Sequence, residues 1–251
     1  MAVSGAIAAV AVRARHHRRD VVATAPSPPP STSTSTTTTT LAQTDEVTYI
    51  ATPRAGYIVV YDAPNQEPAT KLFPNPWYVN DDHNAAVPLV FHVESRGDDG
   101  WTEVQLPIRP NGSLGWVRTD DVVLSATHYR ITIELGAHRL RVYRDKTVFL
   151  EDTVAVGAPA TPTPLGKYYI RALLKAPAPG TVYGPFAYGL SGYSEVLQTF
   201  NGGDAEFGIH GNDDASKLGT DASHGCIRMS NDAITLLTTV LPLGTPVEIT
   251  E

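Results

Sequence analysis

Cysteine is almost absent from this chain of 251 residues, which contains a single one, Cys226. One thiol cannot form a disulfide within the chain, and it excludes a structural zinc site built from several thiolates. A lone thiol is therefore either an inert buried side chain or a reactive one. The residue type alone favours the inert role, because free cysteine most often packs as a small hydrophobic side chain.

Charged residues make up only 18% of the chain and apolar residues 42%, the proportions of an ordinary soluble protein with a real core. The formal net charge is -7, and positive charge gathers near the N-terminus, within residues 13–19. That basic cluster contains no interleaved aromatic side chains, which nucleic-acid-binding segments commonly have. We therefore expect no nucleic-acid partner.

Long apolar runs are also scarce. Residues 2–12 are too short to span a bilayer, and their positive charge follows the apolar stretch, whereas a secretory signal carries it in front. This segment is either the end of a membrane segment or part of an unstructured tail. Residues 25–44 are almost entirely Pro, Ser and Thr, a composition that cannot bury enough apolar surface to fold. We predict a disordered tail and linker over residues 1–46.

Residues 47–126 contain short β-type runs separated by Gly, Pro, Asn and Asp, which predicts a small all-β domain. Two pieces, 99–101 and 115–118, resemble the strand ends of bacterial Src-homology-3-like (SH3-like) modules. Such modules either bind cell-wall peptides or support a neighbouring domain. Trp77, Trp101 and Trp116 could line a ligand groove, although aromatic residues in a barrel of this size are more often core.

Residues 127–251 show further β-type segments, and we predict a mixed-β domain with one prominent helix at 231–240. Asn231 or Ser230 can cap that helix, and Ile234, Leu237 and Val240 fall on one face. The fold class expected for the whole chain is mainly β. We find no internal repeat that would make the two β regions copies of each other.

The segment 207–229 combines a cysteine with two histidines and several glycines, the parts of a thiol active site. A thiol attacks as its thiolate, so at neutral pH Cys226 needs a base or a positive neighbourhood. His210 precedes it by a loop long enough to return the imidazole to the sulfur. His224 lies two positions before Cys226, on the same side of an extended segment. Spacing alone leaves open which histidine is the base.

Acyl transfer also needs backbone N–H groups that stabilise an oxyanion. The N–H groups of Gly225 and Cys226 are candidates, since Gly225 lets the backbone approach the substrate without a side chain in between. Arg228 is spaced to reach the same cleft and to pair with a substrate carboxylate.

These residues form a long and specific motif: Ile-His-Gly-Asn at 209–212 and Ser-His-Gly-Cys-Ile-Arg-Met at 223–229. The motif resembles the signature of L,D-transpeptidase catalytic domains of the YkuD type, and the resemblance extends over most of 128–250. It implies Cys226 as nucleophile, His210 as base and the Gly211 carbonyl as the group that orients the imidazole. Many members carry Asn where this chain has Arg228. The pocket would be completed by Ser223, His224 and Gly225.

The resemblance also implies a reaction and a location. A tetrapeptide stem of peptidoglycan would acylate the cysteine with release of D-Ala, and an amine of another stem would resolve the thioester. This chemistry requires no cofactor and no metal. Peptidoglycan stem peptides are the expected partners, carbapenem-type β-lactams the expected inhibitors, and the cell envelope outside the cytoplasm the expected location.

Other interpretations stay open. The catalytic domain could be idle, leaving a wall-binding protein. Water as the acceptor would give an L,D-carboxypeptidase, and a protein amine would give attachment of proteins to the wall. Two blander alternatives are a buried cysteine with structural histidines, and a metal site formed by His210, His224 and Cys226 with Asp213 or Asp214.

Overall fold

Strands dominate the computed structural model, which describes residues 47–79, 86–97, 99–176, 180–200 and 203–251. The predicted tail and linker at residues 1–46 lie outside these ranges. The mainly β fold class expected from the sequence is confirmed.

The first part of the described chain contains nine short strands and one turn of 3₁₀-helix at Thr119–Asp121. The strands are β1 Thr48–Pro53, β2 Tyr57–Val60, β3 Lys71–Pro74, β4 Trp77–Tyr78, β5 Ala86–Val87, β6 Phe91–Arg96, β7 Trp101–Gln105, β8 Leu114–Arg118 and β9 Val122–Thr127.

Five of these strands form an antiparallel sheet in the order β8-β7-β6-β1-β9, and the other four pair as β2-β3 and β4-β5. Side chains alternate along the strands, so that one face supplies a core that includes Val60, Phe91 and Val104. Trp77 and Trp101 are buried, as expected for core residues, whereas Trp116 is half-buried. The likeness to SH3-like modules stays a prediction.

The second part contains twelve strands, a turn of 3₁₀-helix at Ala215–Lys217 and the helix α1 at Asn231–Leu237. The strands are β10 Tyr129–Glu134, β11 Arg139–Arg144, β12 Thr147–Thr153, β13 Val156–Gly157, β14 Gly166–Lys175, β15 Phe186–Tyr193, β16 Thr199–Phe200, β17 Gly203–Asp204, β18 Glu206–His210, β19 Asp221–Ser223, β20 Ile227–Arg228 and β21 Pro246–Thr250.

Eight of these strands form one mixed sheet in the order β12-β11-β10-β21-β14-β15-β18-β20. Two pairs in it are parallel, β10 with β21 and β18 with β20. The C-terminal strand β21 therefore lies in the middle of the sheet, and β18 and β20 lie at one end. A core of fully buried side chains, among them Ile133, Leu140 and Ile209, covers one face.

Helix α1 packs on this core through Ile234 and Leu237. Ser230 caps it, since its hydroxyl accepts a hydrogen bond from the Ala233 N–H at 3.3 Å. The helix ends at Leu237, three residues earlier than the sequence predicts. The residues that follow are β-branched at 238–240, and Pro242 cannot continue a helix, which explains the early end.

The two sheets contact each other through buried side chains. Tyr169 of β14 packs with Ile50 and Val90 of the first part, and Ala172 of the same strand joins the core of the first sheet. Gln105 adds a hydrogen bond of 2.7 Å to the Lys167 carbonyl. Within the described ranges, no helix is both long and apolar enough to cross a membrane.

Candidate active site

Two neighbouring strands carry the residues of the motif. β18 ends at His210 and pairs in parallel with β20, so that Ile209 lies opposite Ile227 and His210 opposite Arg228. Alternate side chains of a strand point to opposite faces of the sheet. Ile209 and Ile227 are fully buried in the core. His210 and Arg228 share the opposite face, where Cys226 joins them at the start of β20.

This face lines a cleft of about 380 Å³. The motif supplies most of the polar lining, and strands and loops around it supply apolar side chains. The polar lining includes His210, Ser223, His224, Cys226 and Arg228, and the apolar lining includes Leu174, Val182, Tyr183, Leu197, Phe200 and Phe207. The structure thus brings together five of the residues that the sequence selected from two separate segments, whereas Gly211 and Gly225 do not line the cleft.

His210 is almost completely buried, with 4% of the residue exposed. Its Nδ1 lies 2.6 Å from the carbonyl oxygen of Gly211, an atom that can only accept a hydrogen bond. Nδ1 therefore carries the proton, and Nε2 is left as an acceptor. The pKa of His210 is lowered to about 4, mainly by burial. The positive charge of Arg228 also lowers it, whereas the hydrogen bond to the Gly211 carbonyl acts in the opposite direction. At neutral pH the ring is uncharged and Nε2 can accept a proton.

Cys226 is half-buried in the same cleft. Burial raises the pKa of its thiol, and this effect exceeds the lowering by a hydrogen bond from the Gly208 backbone and by the charge of Arg228. The resting pair is therefore a neutral thiol and a neutral imidazole. Two neutral groups of this kind do not maintain a standing thiolate, and the imidazole can take the proton from sulfur only when the sulfur reacts.

The two motif histidines differ in their surroundings. His210 is buried and makes an edge contact with Tyr183, with ring centroids 5.0 Å apart. His224 is exposed at the rim of the cleft and lies against Phe200 at 5.7 Å. The buried, oriented imidazole is the better general base, so the geometry favours His210 for this role.

The turn before Cys226 is closed by the hydroxyl of Ser223. Ser223 Oγ donates to the Cys226 carbonyl at 2.5 Å and accepts from the Gly225 N–H at 3.1 Å. Gly225 has a φ of +113°, which residues with a Cβ rarely adopt. The Gly225 N–H already has a partner in this turn. The Cys226 N–H is therefore the stronger of the two candidates for stabilising an oxyanion.

Backbone hydrogen bonds hold Arg228 in position. Its N–H and C=O each form a hydrogen bond of 2.8 Å with Ala155. Its Nε is buried and has no hydrogen-bond partner among the residues that the structure describes. A guanidinium with an unused buried donor at a cleft is suited to bind a carboxylate that enters the cleft.

The Gly211 carbonyl is held in position by Asn231, a residue of α1. Asn231 Oδ1 accepts from the Asn212 N–H at 2.9 Å, and its Nδ2 donates to the Asn212 C=O at 3.0 Å. Asn212 Nδ2 in turn donates to the Met229 carbonyl at 2.6 Å. A side chain at position 211 would not fit, because its Cβ would lie 2.3 Å from Asn231 Oδ1.

The metal site considered from the sequence does not form. Over the described ranges, no three His, Cys, Asp or Glu side chains gather closely enough to hold a metal ion. Asp214 acts locally, since its carboxylate accepts hydrogen bonds from the Ser216 N–H at 3.0 Å and hydroxyl at 2.6 Å.

Comparison with known proteins relates the second part of the chain to one family. Residues 128–249 match the family model of the L,D-transpeptidase catalytic domain, YkuD. This region is a member of the YkuD family. The match contains the motif residues from His210 to Arg228. It begins at residue 128, between β9 and β10.

The YkuD region is also similar to the YkuD proteins of Bacillus licheniformis and Bacillus subtilis strain 168. The identity is 34% over 122 residues in both cases, or 49% and 48% of this chain. The match spans 66% and 65% of the length of these relatives. Among solved structures, the catalytic domain of the Enterococcus faecium L,D-transpeptidase is 26% identical, with a TM-score of 0.34. That match covers 49% of this chain and 96% of that domain.

Sequence reasoning missed several residues of the YkuD site. Asn231 was considered only as a helix cap, but Ser230 takes that role and leaves Asn231 free to bind the Asn212 backbone. Tyr183 and Phe200 contact the two histidines from segments distant in sequence. A signal was available for Asn231, a polar residue two positions after the motif, whereas nothing local marked the two aromatic residues.

Replacing Asn231 should change the state of His210 before any chemistry occurs. In Asn231→Ala the Gly211 carbonyl loses its support, so we expect His210 to lose its single Nδ1–H form, which imidazole ¹⁵N NMR measures near neutral pH. The matched control is Asn75→Ala, since Asn75 also binds backbone groups, at Pro53, Ala55 and Leu89, but lies in the first part. Both variants should lose about 1–3 kcal/mol of stability. An unchanged His210 spectrum in Asn231→Ala would contradict the positioning role.

Acid should destabilise the protein through His210. Its pKa is about 4 in the folded chain against an ordinary value of 6.5, so between these values the unfolded chain binds a proton that the folded chain does not. The contribution of His210 to stability is complete above pH 6.5 and is lost as the pH falls toward 4.

Between roughly pH 7 and pH 4.5, we therefore expect the free energy of unfolding of His210→Gln to fall by about 2 kcal/mol less than that of the wild type. Urea unfolding at each pH measures this difference. Asn75→Ala, which removes no titratable group, should lose as much stability with acid as the wild type. If His210→Gln and the wild type lose stability equally, the histidine is not buried and neutral as described.

Proposed function

We propose that the chain is an L,D-transpeptidase that acts on peptidoglycan stem peptides through a thioester on Cys226. One observation carries the proposal: a buried imidazole, with Nδ1 bound to the Gly211 carbonyl at 2.6 Å, shares a cleft with the chain's single thiol. This arrangement supplies a nucleophile and an oriented base within a YkuD domain.

In the first step, Cys226 Sγ attacks the carbonyl carbon of the amide between the third stem residue and the D-Ala at position four. His210 Nε2 takes the thiol proton as the C–S bond forms. The tetrahedral oxyanion is stabilised by the Cys226 N–H. The intermediate collapses when His210 returns the proton to the leaving nitrogen, so that the C–N bond breaks, D-Ala departs and a thioester remains.

In the second step, an amine of another stem attacks the thioester carbonyl. His210 Nε2 accepts a proton from this amine, the new C–N bond forms and the C–S bond breaks. The proton then returns to the sulfur, which regenerates the neutral thiol. Two acyl transfers are thus completed with one nucleophile and one base, and the chemistry requires no metal or organic cofactor.

The cleft lining fits a peptide donor. Apolar side chains such as Val182, Leu197 and Phe200 offer contact surface, and Arg228 offers an unused buried Nε. The stem peptide carries carboxylates, so Arg228 is the proposed anchor for one of them. Ser223 and Gly225 shape the turn that presents the thiol.

A peptidoglycan substrate implies a location and an inhibitor class. We propose that the protein acts in the cell envelope outside the cytoplasm, where this polymer lies. Carbapenem-type β-lactams present a strained amide carbonyl to the same nucleophile, and we propose that they acylate Cys226.

The proposal is tested with a purified tetrapeptide stem as donor and a second stem peptide as acceptor, with released D-Ala and product masses as the readout. We expect the wild type to form a cross-linked dimer and Cys226→Ala to release no D-Ala. His210→Ala should be slower by at least about a hundredfold, whereas His128→Ala, at an exposed histidine, should match the wild type.

The products also separate the alternatives. A tripeptide with no dimer would identify water as the acceptor and make the protein a carboxypeptidase. No release of D-Ala by folded wild type would contradict the proposed activity and favour an idle catalytic domain with a wall-binding role.

A further inference from the structure

A loop of the first sheet reaches the cleft of the YkuD domain. This loop, residues 107–113 between β7 and β8, is called the clamp loop here. It contacts residues 193–200, the end of β15 and the segment after it, which we call the cleft wall. The two segments lie more than eighty residues apart in sequence and meet through hydrogen bonds and one cation–π contact.

Asn111 binds the cleft wall as a neighbouring strand would. Its Nδ2 donates to the Tyr193 carbonyl at 2.8 Å, and its Oδ1 accepts from the Tyr193 N–H at 2.9 Å. The Tyr193 hydroxyl donates in return to the Pro107 carbonyl at 2.8 Å. Tyr193 is therefore fixed at both its backbone and its ring end by the clamp loop.

Arg109 extends this attachment along the wall. Its Nη1 donates to the Ser194 carbonyl at 2.7 Å and its Nη2 to the Leu197 carbonyl at 3.1 Å. The guanidinium also lies over the ring of Tyr193, 4.9 Å from its centroid. One planar side chain thus spans the turn between Ser194 and Leu197, a geometry suited to its forked donors.

The attached wall borders the cleft directly. Ser194, Leu197 and Phe200 line the cleft that contains Cys226, and Phe200 contacts the ring of His224. Most side chains between 195 and 200 are exposed, so packing in a core contributes little to their position. A segment with few buried contacts opens easily unless polar contacts hold it.

A second connection runs in parallel. Trp77 of the first part lies over the guanidinium of Arg171, 3.6 Å from ring centroid to Cζ. Arg171 Nη1 then binds Glu206 Oε1 at 2.6 Å, and Glu206 is a cleft-lining residue at the start of β18. The first part of the chain therefore reaches the cleft at its wall and, through Arg171, at the strand that carries His210.

We propose that the first part of the chain sets the shape of the donor cleft, with Arg109 and Asn111 as positioning residues for its wall. They touch neither Cys226 nor His210 and act through Tyr193, Ser194 and Leu197. The ligand concerned, a stem peptide, rests on the proposed function above. The attachment of the wall itself does not depend on that function.

The test uses the full chain with Arg109→Ala and Asn111→Ala combined. Hydrogen exchange of peptides covering 193–200 measures the attachment, and the ratio of Cys226 alkylation by a bulky apolar iodoacetamide to that by iodoacetamide measures cleft shape. Where the tetrapeptide is turned over, KM and kcat are added. The matched control is Arg54→Ala, which also removes a guanidinium bound to a backbone carbonyl, that of Asp120, in the first part.

We expect exchange in 193–200 to accelerate at least about tenfold in the double variant, with alkylation by iodoacetamide itself within about twofold of the wild type. The alkylation ratio should change at least about threefold, and KM should rise about fivefold or more with a smaller change in kcat. Arg54→Ala should leave all of these unchanged. Arg109→Lys with Asn111 intact should lie between the double variant and the wild type, since one donor and the Asn111 bonds remain.

The proposal would be overturned if the folded double variant showed the wild-type rate of hydrogen exchange in 193–200 and an unchanged alkylation ratio. Failure of the wild type to consume the tetrapeptide would instead count against the transpeptidase function, because exchange and alkylation report on the wall without it.

Discussion

The buried hydrogen bond from His210 Nδ1 to the Gly211 carbonyl fixes which ring nitrogen is free, and the chemistry of the cleft depends on that choice. With the proton on Nδ1, Nε2 is an acceptor that can receive the thiol proton of Cys226. Burial lowers the pKa of His210 and raises that of Cys226, so both groups rest uncharged. In the proposed reaction, attack and proton transfer then occur together, and neither the thiol nor the imidazole carries a charge between turnovers.

Gly211 and Asn231 maintain this one bond, and other features of the chain build the cleft around it. Gly211 has no side chain because Asn231 occupies the space, and Asn231 is available because Ser230 caps the helix. The parallel pairing of β18 and β20 sets His210 beside Arg228 and next to the turn that carries Cys226. The clamp loop of the first sheet binds the cleft wall, which lines the same cleft. The site is thus the meeting point of elements from both parts of the described chain.

The sequence predicted the fold class and most of the polar residues of the cleft, but not how the strands are arranged around them. The motif around His210 and Cys226 selected these polar residues, because a reactive thiol needs a particular set of side chains at short spacing. The sequence pattern does not indicate strand β15, because Gly189, Ser191 and Gly192 interrupt its apolar residues. Its pairing with β18 nevertheless determines where His210 lies. Strand alternation cannot reveal contacts such as that of Arg109 with Leu197, because these join loops from different sheets.

The central claim is that Cys226 is an acylatable nucleophile. The most direct measurement is intact-protein mass spectrometry after incubation with a carbapenem, with the wild type and Cys226→Ala compared under the same conditions. We expect a covalent adduct of one carbapenem on the wild type and none on Cys226→Ala. No adduct on folded wild type, or an equal adduct on both proteins, would contradict it.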